Sequence, residues 1–532
     1  MSTINDILYQ RGPFSRKDSL RGALTLLRSC YDVLFYDLFV KVNIPEQSIS
    51  GSNTIIYKVI TEFERIQIDL FSQLEIDSIL YHHQKLLFTR EHNAVFIQFP
   101  FSQVTGIIDT FTVYYHGKPN VAQNPPWQGG FIWEKDKNGR PWVGVACQGH
   151  GASSWWPLKD HLSDEPDNGM RITINVPQSL MCVSNGVLVG QEDYEDGTTS
   201  FEWRVHAPIN SYNVTLNIGD YVHFSDTLQG VLGILHLDFY VLSYHLEKAK
   251  KHFAQVKPLL HCFEKYLGPY PFYEDGYALV ETPYWGMEHQ GAIAYGNEFK
   301  NNNFGFDFII VHESGHEWFG NHISIGDNAD LWVHEAFTTY AEAIYVECVH
   351  GKEKALEYLQ TQRKKINNQA AIQGPYEVNF DAWPDADMYY KGSWMLHTLR
   401  TIIADDALWW RALRKMYDVF RGGNVKGQRV RLWFSQFFNI ELSSFFSQYL
   451  DFREIPILEY RLQKKANGDY TFSFRFQAQA PNFQMPIDVL LNGEKKRFWA
   501  TTEWQAQNLS LTSEKDFTID TENYLILTQK LK

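Results

Sequence analysis

Two blocks of alternating apolar and polar positions frame a helical middle. From Cys30 the chain runs through short stretches rich in β-branched and aromatic residues, at 31–44 (YDVLFYDLFVKVNI), 53–60, 65–71, 94–100 and 109–117, with a turn cluster at 48–53. Several have a period of two, the mark of half-buried strands. Strand-like runs continue beyond a loop at 119–130, and Asn138-Gly139 marks a hairpin inside 131–147. Further runs lie at 171–177, 182–190, 199–206 and 213–224. The pattern predicts one large antiparallel β-domain over 1–222, whose first 28 residues form a polar arm on the surface. Near Ser243 the apolar spacing becomes helical and, apart from a strand-like run at 276–296, stays so to about residue 450. A helix-dominated domain over 223–455 is expected. After Pro456 strands return, with Asn492-Gly493 as a hairpin turn, predicting a small β-sandwich over 456–532. The fold class is α+β and multidomain.

Composition narrows this reading. A chain of 532 residues with 44% apolar and 15% aromatic content is globular and builds its cores without disulfide staples. The formal charge of −14 argues against nucleic acid or an anionic membrane surface as partner. The five cysteines, Cys30, Cys147, Cys182, Cys262 and Cys348, are widely spaced and form no C-x-x-C pair. They suggest neither a disulfide framework nor a zinc ribbon, but small buried apolar residues. There is no run of 18 apolar residues to span a membrane, and the first residues lack the apolar core of a signal peptide. The expected compartment is cytoplasmic, with a mature periplasmic or secreted form as the alternative.

The chemistry gathers in 307–335. His312-Glu313-Ser314-Gly315-His316 is an H-E-x-x-H pattern. On a helix running to Gly320-Asn321, His312 and His316 lie on one face, one turn apart, where two neutral imidazoles can grip one zinc ion. Glu313 stands beside them as a base for activated water. Eighteen residues separate His316 from Glu335, in a second helical segment, and Glu335 completes a His₂Glu site with one position left open. Glu342 follows Glu335 by seven residues on the same helical face, as a partner for a metal ligand or as a solvated charge.

These residues and their flanks resemble the M1 metallopeptidases, the group of aminopeptidase N and leukotriene A4 hydrolase. The zinc signature of that family matches His312, His316 and Glu335, and 316–321 (HEWFGN) resembles its H-Q-W-F-G-N. Trp285-Gly286-Met287-Glu288-His289 stands where the family has G-x-M-E-N, and Tyr389-Tyr390-Lys391-Gly392 matches its Y-x-K-G. Weaker likeness covers the first strand, a D-E-P loop at 163–169 and the segment 268–283. The resemblance implies an N-terminal β-saddle, a thermolysin-like and mostly helical catalytic domain, and the small β-sandwich. The large helical C-terminal domain of the family has no room here.

By the same resemblance the chain is a zinc aminopeptidase, with one zinc per chain, acting on peptides that carry a free N-terminus. Glu313 is the general base, Tyr389 the donor to the oxyanion, and Glu288 the anchor for the free α-amino group. Gln148 in 146–153 (ACQGHGAS) resembles the residue that assists from the β-domain. The backbone of Gly286 and Met287 can pair with an extended substrate, and Met287 can line the first side-chain pocket. Three positions depart from the family: His289 and His334 stand for Asn, and Trp285 for a small residue. A bulky Trp285 there would narrow the N-terminal pocket or alter its preference, and His334 is a rival ligand to Glu335, though the spacing favours Glu335. A thermolysin-like endopeptidase, an epoxide hydrolase and a binding-only relative are the rival readings.

Overall fold

The computed structural model describes residues 14–532, so the first part of the expected arm, 1–13, lies outside them. The rest of the arm lies largely on the surface, as expected, and is fastened there by a few buried residues. Ser15 and Asp18 form a capping box on the helix Arg16–Gly22, Leu20 is buried, and buried Arg28 pairs with Asp69 at 2.6 Å. A buried guanidinium needs such a partner, and Asp69 supplies it from a strand.

Tyr31–Asn43 buries alternate residues, as its pattern predicts, and pairs antiparallel with Ser48–Val59 in an eight-stranded sheet. Its other neighbour corrects the antiparallel reading: Met170–Pro177 runs parallel to it, Tyr36 opposite Met170. More than a hundred residues join these two strands, a connection long enough to cross over and return in the same direction. Lys135 and Pro141 flank the Asn138-Gly139 turn as a hairpin.

Sheet membership changes at Tyr221. The hairpin Tyr221–Gly230 and Gly233–Leu242 opens a five-stranded sheet that continues with Tyr277–Glu281, Ile293–Tyr295 and, at its edge, Gly286–Met287. The single strand-like run at 276–296 is thus three strands. Helices then stack in succession: α1 (Phe308–Gly315) packs on this sheet, α2 (Trp332–His350) on α1, and α3 (Asp387–Ile403) on α2. The β-domain core reaches Val280, Tyr284, Met287 and Ala294, so the edge strand is packed from behind by both regions. After Ile457 a four-stranded and a three-stranded sheet face each other, with Asn492 and Gly493 both at positive φ in the two-residue turn. No large helical array follows this sandwich among the described residues.

One cysteine expectation fails. Cys262 and Cys348 are joined in a disulfide, while Cys30, Cys147 and Cys182 are buried and free. The partners are 86 residues apart and meet only because the helix Val256–Tyr266 packs on α2. Among the described residues no helix is long and apolar enough to cross a membrane.

Candidate metal centre and peptide cleft

Helix α1 is shorter than its pattern predicts. Asp307 caps it, accepting from the Ile309 amide at 3.0 Å, and is itself held by His252, Tyr295 and Asn297. The helix ends at Gly315, not at Gly320-Asn321, but His316 keeps a right-handed helical conformation as the C-cap. The one-turn spacing therefore survives, and the imidazoles of His312 and His316 meet with Nε2 atoms 3.3 Å apart.

The remaining ring nitrogens are committed. His312 Nδ1–H donates to Glu342 Oε1 at 2.7 Å, and His316 Nδ1–H donates to the Phe319 carbonyl at 2.9 Å. Both Nε2 lone pairs then point at one spot, and Glu335 Oε2 approaches it from α2 at 3.7 Å from His312 and 3.5 Å from His316. Buried Glu335 Oε2 has no hydrogen-bond partner. Three buried electron-pair donors facing one another repel unless a cation lies between them. The set of two imidazoles and one carboxylate is that of a zinc site with room for a further ligand. Burial alone would raise the Glu335 carboxyl, but His316 and the contacts to both imidazoles hold it well below the usual range.

Glu342 does more than touch His312. Its second oxygen accepts from Tyr358 at 2.6 Å and from Gln362 at 3.1 Å, which fixes the carboxylate and through it the imidazole. Replacing Glu342 by Gln is expected to weaken zinc affinity about 10- to 100-fold, read by competition with a chromogenic chelator. An unchanged affinity would make Glu342 only a packing residue. His334 does not join the cluster: both its ring nitrogens are buried without partners, and burial lowers its pKa to about 3. His289 is buried and lowered in the same way.

Glu313 lies next to this centre, within ligand distance of Glu288 and His316. Burial raises it to about 7, with Glu288 and Glu335 adding to the rise against His312 and His316. Its near neighbour explains one glycine: a Cβ on Gly286 would lie 2.7 Å from Glu313 Oε1 and 2.9 Å from Ile309 Cγ2. Gly286→Ala is therefore expected to push the Glu313 carboxylate aside and lower kcat about a hundredfold, as a displacement near 1 Å does. Steady-state rates would check this, and an unaffected kcat would show that the carboxylate is free to move.

Glu288, the next residue after the edge strand, is buried, and its Oε1 accepts from Gln148 at 2.6 Å and from Tyr212 at 3.1 Å. Both donors are neutral and come from the β-domain. Tyr212 carries no motif and was not legible in the sequence. Tyr389 reaches the centre from the first turn of α3, its ring 6.0 Å from that of His312. Burial, then Glu335 and Glu288, raises its pKa well above that of an ordinary phenol, so the hydroxyl stays protonated. Tyr390 turns toward Lys365, which it meets at 3.2 Å. The rest of that motif is mechanical: a Cβ on Gly392 would sit 2.5 Å from Ala336 Cβ, so glycine lets α3 approach α2 closely. Buried Lys391 donates to the carbonyls of Phe452 and Arg453.

A cleft of about 170 Å³ joins these groups, walled by Gln148, Gly286–Met287, Tyr389 and the aromatic rings of Trp127, Trp285 and Phe308. Gln148, Gly286, Met287, Glu288, His312, Glu313, His316, Glu335, Glu342 and Tyr389 all border it, whereas His289 and His334 do not line it.

Residues 252–449 match the family model described as Peptidase family M1 domain. The chain is similar to Leucine aminopeptidase 2 of Neosartorya fischeri, 26% identical over 218 residues that cover 40% of this chain and 34% of that protein. It is similar to Endoplasmic reticulum aminopeptidase 1 of Mus musculus, 23% identical over 265 residues, 46% of this chain and 28% of the relative. Aligned segments thus span about a third of these curated relatives. In fold it resembles the crystal structure of the M1 zinc metallopeptidase from Deinococcus radiodurans, with a TM-score of 0.69 and 20% identity over 80% of this chain and 94% of the other.

Proposed function

Proceeding from residues 252–449 as a peptidase family M1 domain, we propose that this chain is a zinc-dependent aminopeptidase that removes the N-terminal residue of peptides. His312, His316 and Glu335 would hold the zinc ion, which when bound supplies Lewis acidity and lowers the pKa of water toward neutrality. Every other part of the chemistry falls to side chains of this chain. Glu313 takes a proton from the attacking water and hands it to the leaving amine. The Tyr389 hydroxyl donates to the oxygen that becomes negative as the scissile carbonyl turns tetrahedral. The edge strand Gly286–Met287 has one side unpaired and holds the substrate backbone in extended form.

The observation that carries this reading is Glu288. A buried carboxylate whose donors are the neutral side chains of Gln148 and Tyr212 has no cationic hydrogen-bond partner, and the ammonium of a peptide N-terminus supplies one. An endopeptidase has no use for that charge. The test follows one short peptide and its N-acetylated twin by mass spectrometry, before and after chelation. Stepwise loss from the free peptide alone, stopped by the chelator, is expected; internal cleavage of both would refute the reading.

The Cys262–Cys348 disulfide favours the periplasmic or secreted compartment over the cytoplasmic one, since such bonds persist where thiols are not kept reduced. Thiol titration of the unfolded protein should count the three free cysteines before reduction and all five after it. Five before reduction would return the argument to the cytoplasm.

A further inference from the structure

Three aromatic rings carry the metal centre outward, and the mechanism above uses none of them. Phe308 stacks on His312 with centroids 5.3 Å apart, and Trp285 stacks on Phe308 at 5.6 Å. Trp127, from the β-domain loop, leans on Trp285 at 6.1 Å. The outer two rings stay open to solvent, Trp285 at 44% and Trp127 at 55% exposure. Large rings grouped at the mouth of a cleft mark a recognition surface, not a packing accident. Trp285 is also held in place. Its indole Nε1–H donates to Asn297 Oδ1 at 3.3 Å, and Asn297 Nδ2 donates at 2.8 Å to Asp307, the cap of α1. A ring ordered in advance loses little entropy when a ligand stacks on it.

The chain direction says which part of a peptide meets these rings. Trp285 precedes the edge strand and Glu288 follows it. A peptide with its ammonium at Glu288 must run back along Gly286–Met287, antiparallel to it, toward Trp285. Each extended residue advances about 3.4 Å, so the first residue lies over the strand and the next two reach the rings. In this pose Trp285 meets the residues beyond the first, not the pocket of the N-terminal residue.

We propose that Trp285 and Trp127 form an aromatic clamp for the side chain of the second or third residue of the peptide, beyond the scissile bond, favouring aromatic and large apolar side chains there. This rests on the aminopeptidase reading and on the anchor at Glu288. Trp285 and Trp127 are thus specificity residues, and Asn297 is a positioning residue that acts through Trp285.

The test measures kcat/KM for release of leucine from Leu-Gly-Gly, Leu-Phe-Gly and Leu-Gly-Phe. In the unaltered protein, one of the phenylalanine peptides should exceed Leu-Gly-Gly by about 10-fold, the scale of an aromatic pair added to a binding site. Trp285→Ala and Trp127→Ala should each bring that ratio toward one, and Trp285→Phe should keep part of it. The ratio within one variant is independent of how much of that variant is folded. Equal rates for the three peptides in the unaltered protein would overturn the clamp while leaving the aminopeptidase reading intact. So would a ratio that survives both alanine substitutions. Release of leucine from none of them would remove the aminopeptidase reading and the clamp with it.

Discussion

Replacing Glu313 by Gln is expected to lower kcat about a thousandfold while zinc stays bound at one ion per chain, a magnitude typical of a lost general base. The amide keeps the size and hydrogen-bonding reach of the carboxylate but cannot accept a proton. Glu313 stands outside the set of His312, His316 and Glu335, yet it is also within ligand distance of Glu288 and His316. Metal content by atomic absorption separates the two roles. Retained zinc with lost turnover identifies the base. Lost zinc would make Glu313 a ligand, and a kcat within tenfold of the original would mean that another group moves the proton.

Glu288→Ala is expected to lower kcat/KM on peptides with a free N-terminus by about a hundred- to a thousandfold. Removing one member of a desolvated charge pair costs about 2–5 kcal/mol, each 1.4 kcal/mol is about a factor of ten, and the middle of that range, about 3–4 kcal/mol, gives the stated loss. The N-acetylated twin has no ammonium to lose and should be an equally poor substrate of both proteins. Gln148→Ala should do less, because Gln148 only steadies the anchor, with Tyr212 still donating to the same oxygen. If the variant at Glu288 cleaved free and acetylated peptides as the unaltered protein does, the amino group would be bound elsewhere.

The strands of the β-domain were readable because their alternation maps onto burial, as in Tyr31–Asn43 on either side of the register shift at Val33–Phe35. The parallel neighbour of that strand was not readable: alternation says which face is buried, not which strand lies alongside. The end of α1 was misplaced because Trp318 and Phe319 continue an apolar pattern while the backbone has already turned, with both rings buried in the core. The Y-x-K-G motif could be found in the sequence, but its division of labour could not. Only packing separates a tyrosine that reaches the centre, a lysine that fastens two carbonyls and a glycine that lets two helices touch.

The sequence by itself determined the local chemistry of the centre. Helical periodicity puts His312 and His316 one turn apart, and donor type and spacing point to zinc and to Glu335 as the third donor. Asn-Gly marks both hairpin turns: at Asn492-Gly493 both residues take positive φ, and at Asn138-Gly139 Gly139 alone does. Tertiary structure alone decided what those groups meet. Tyr212 and Gln148, far from Glu288 in the chain, converge on one of its oxygens. Glu342 is committed to His312 by Tyr358 and Gln362, and Trp285 is stacked onto Phe308. These contacts depend on how sheets and helices from separate stretches pack, and packing of that kind leaves no period in the sequence.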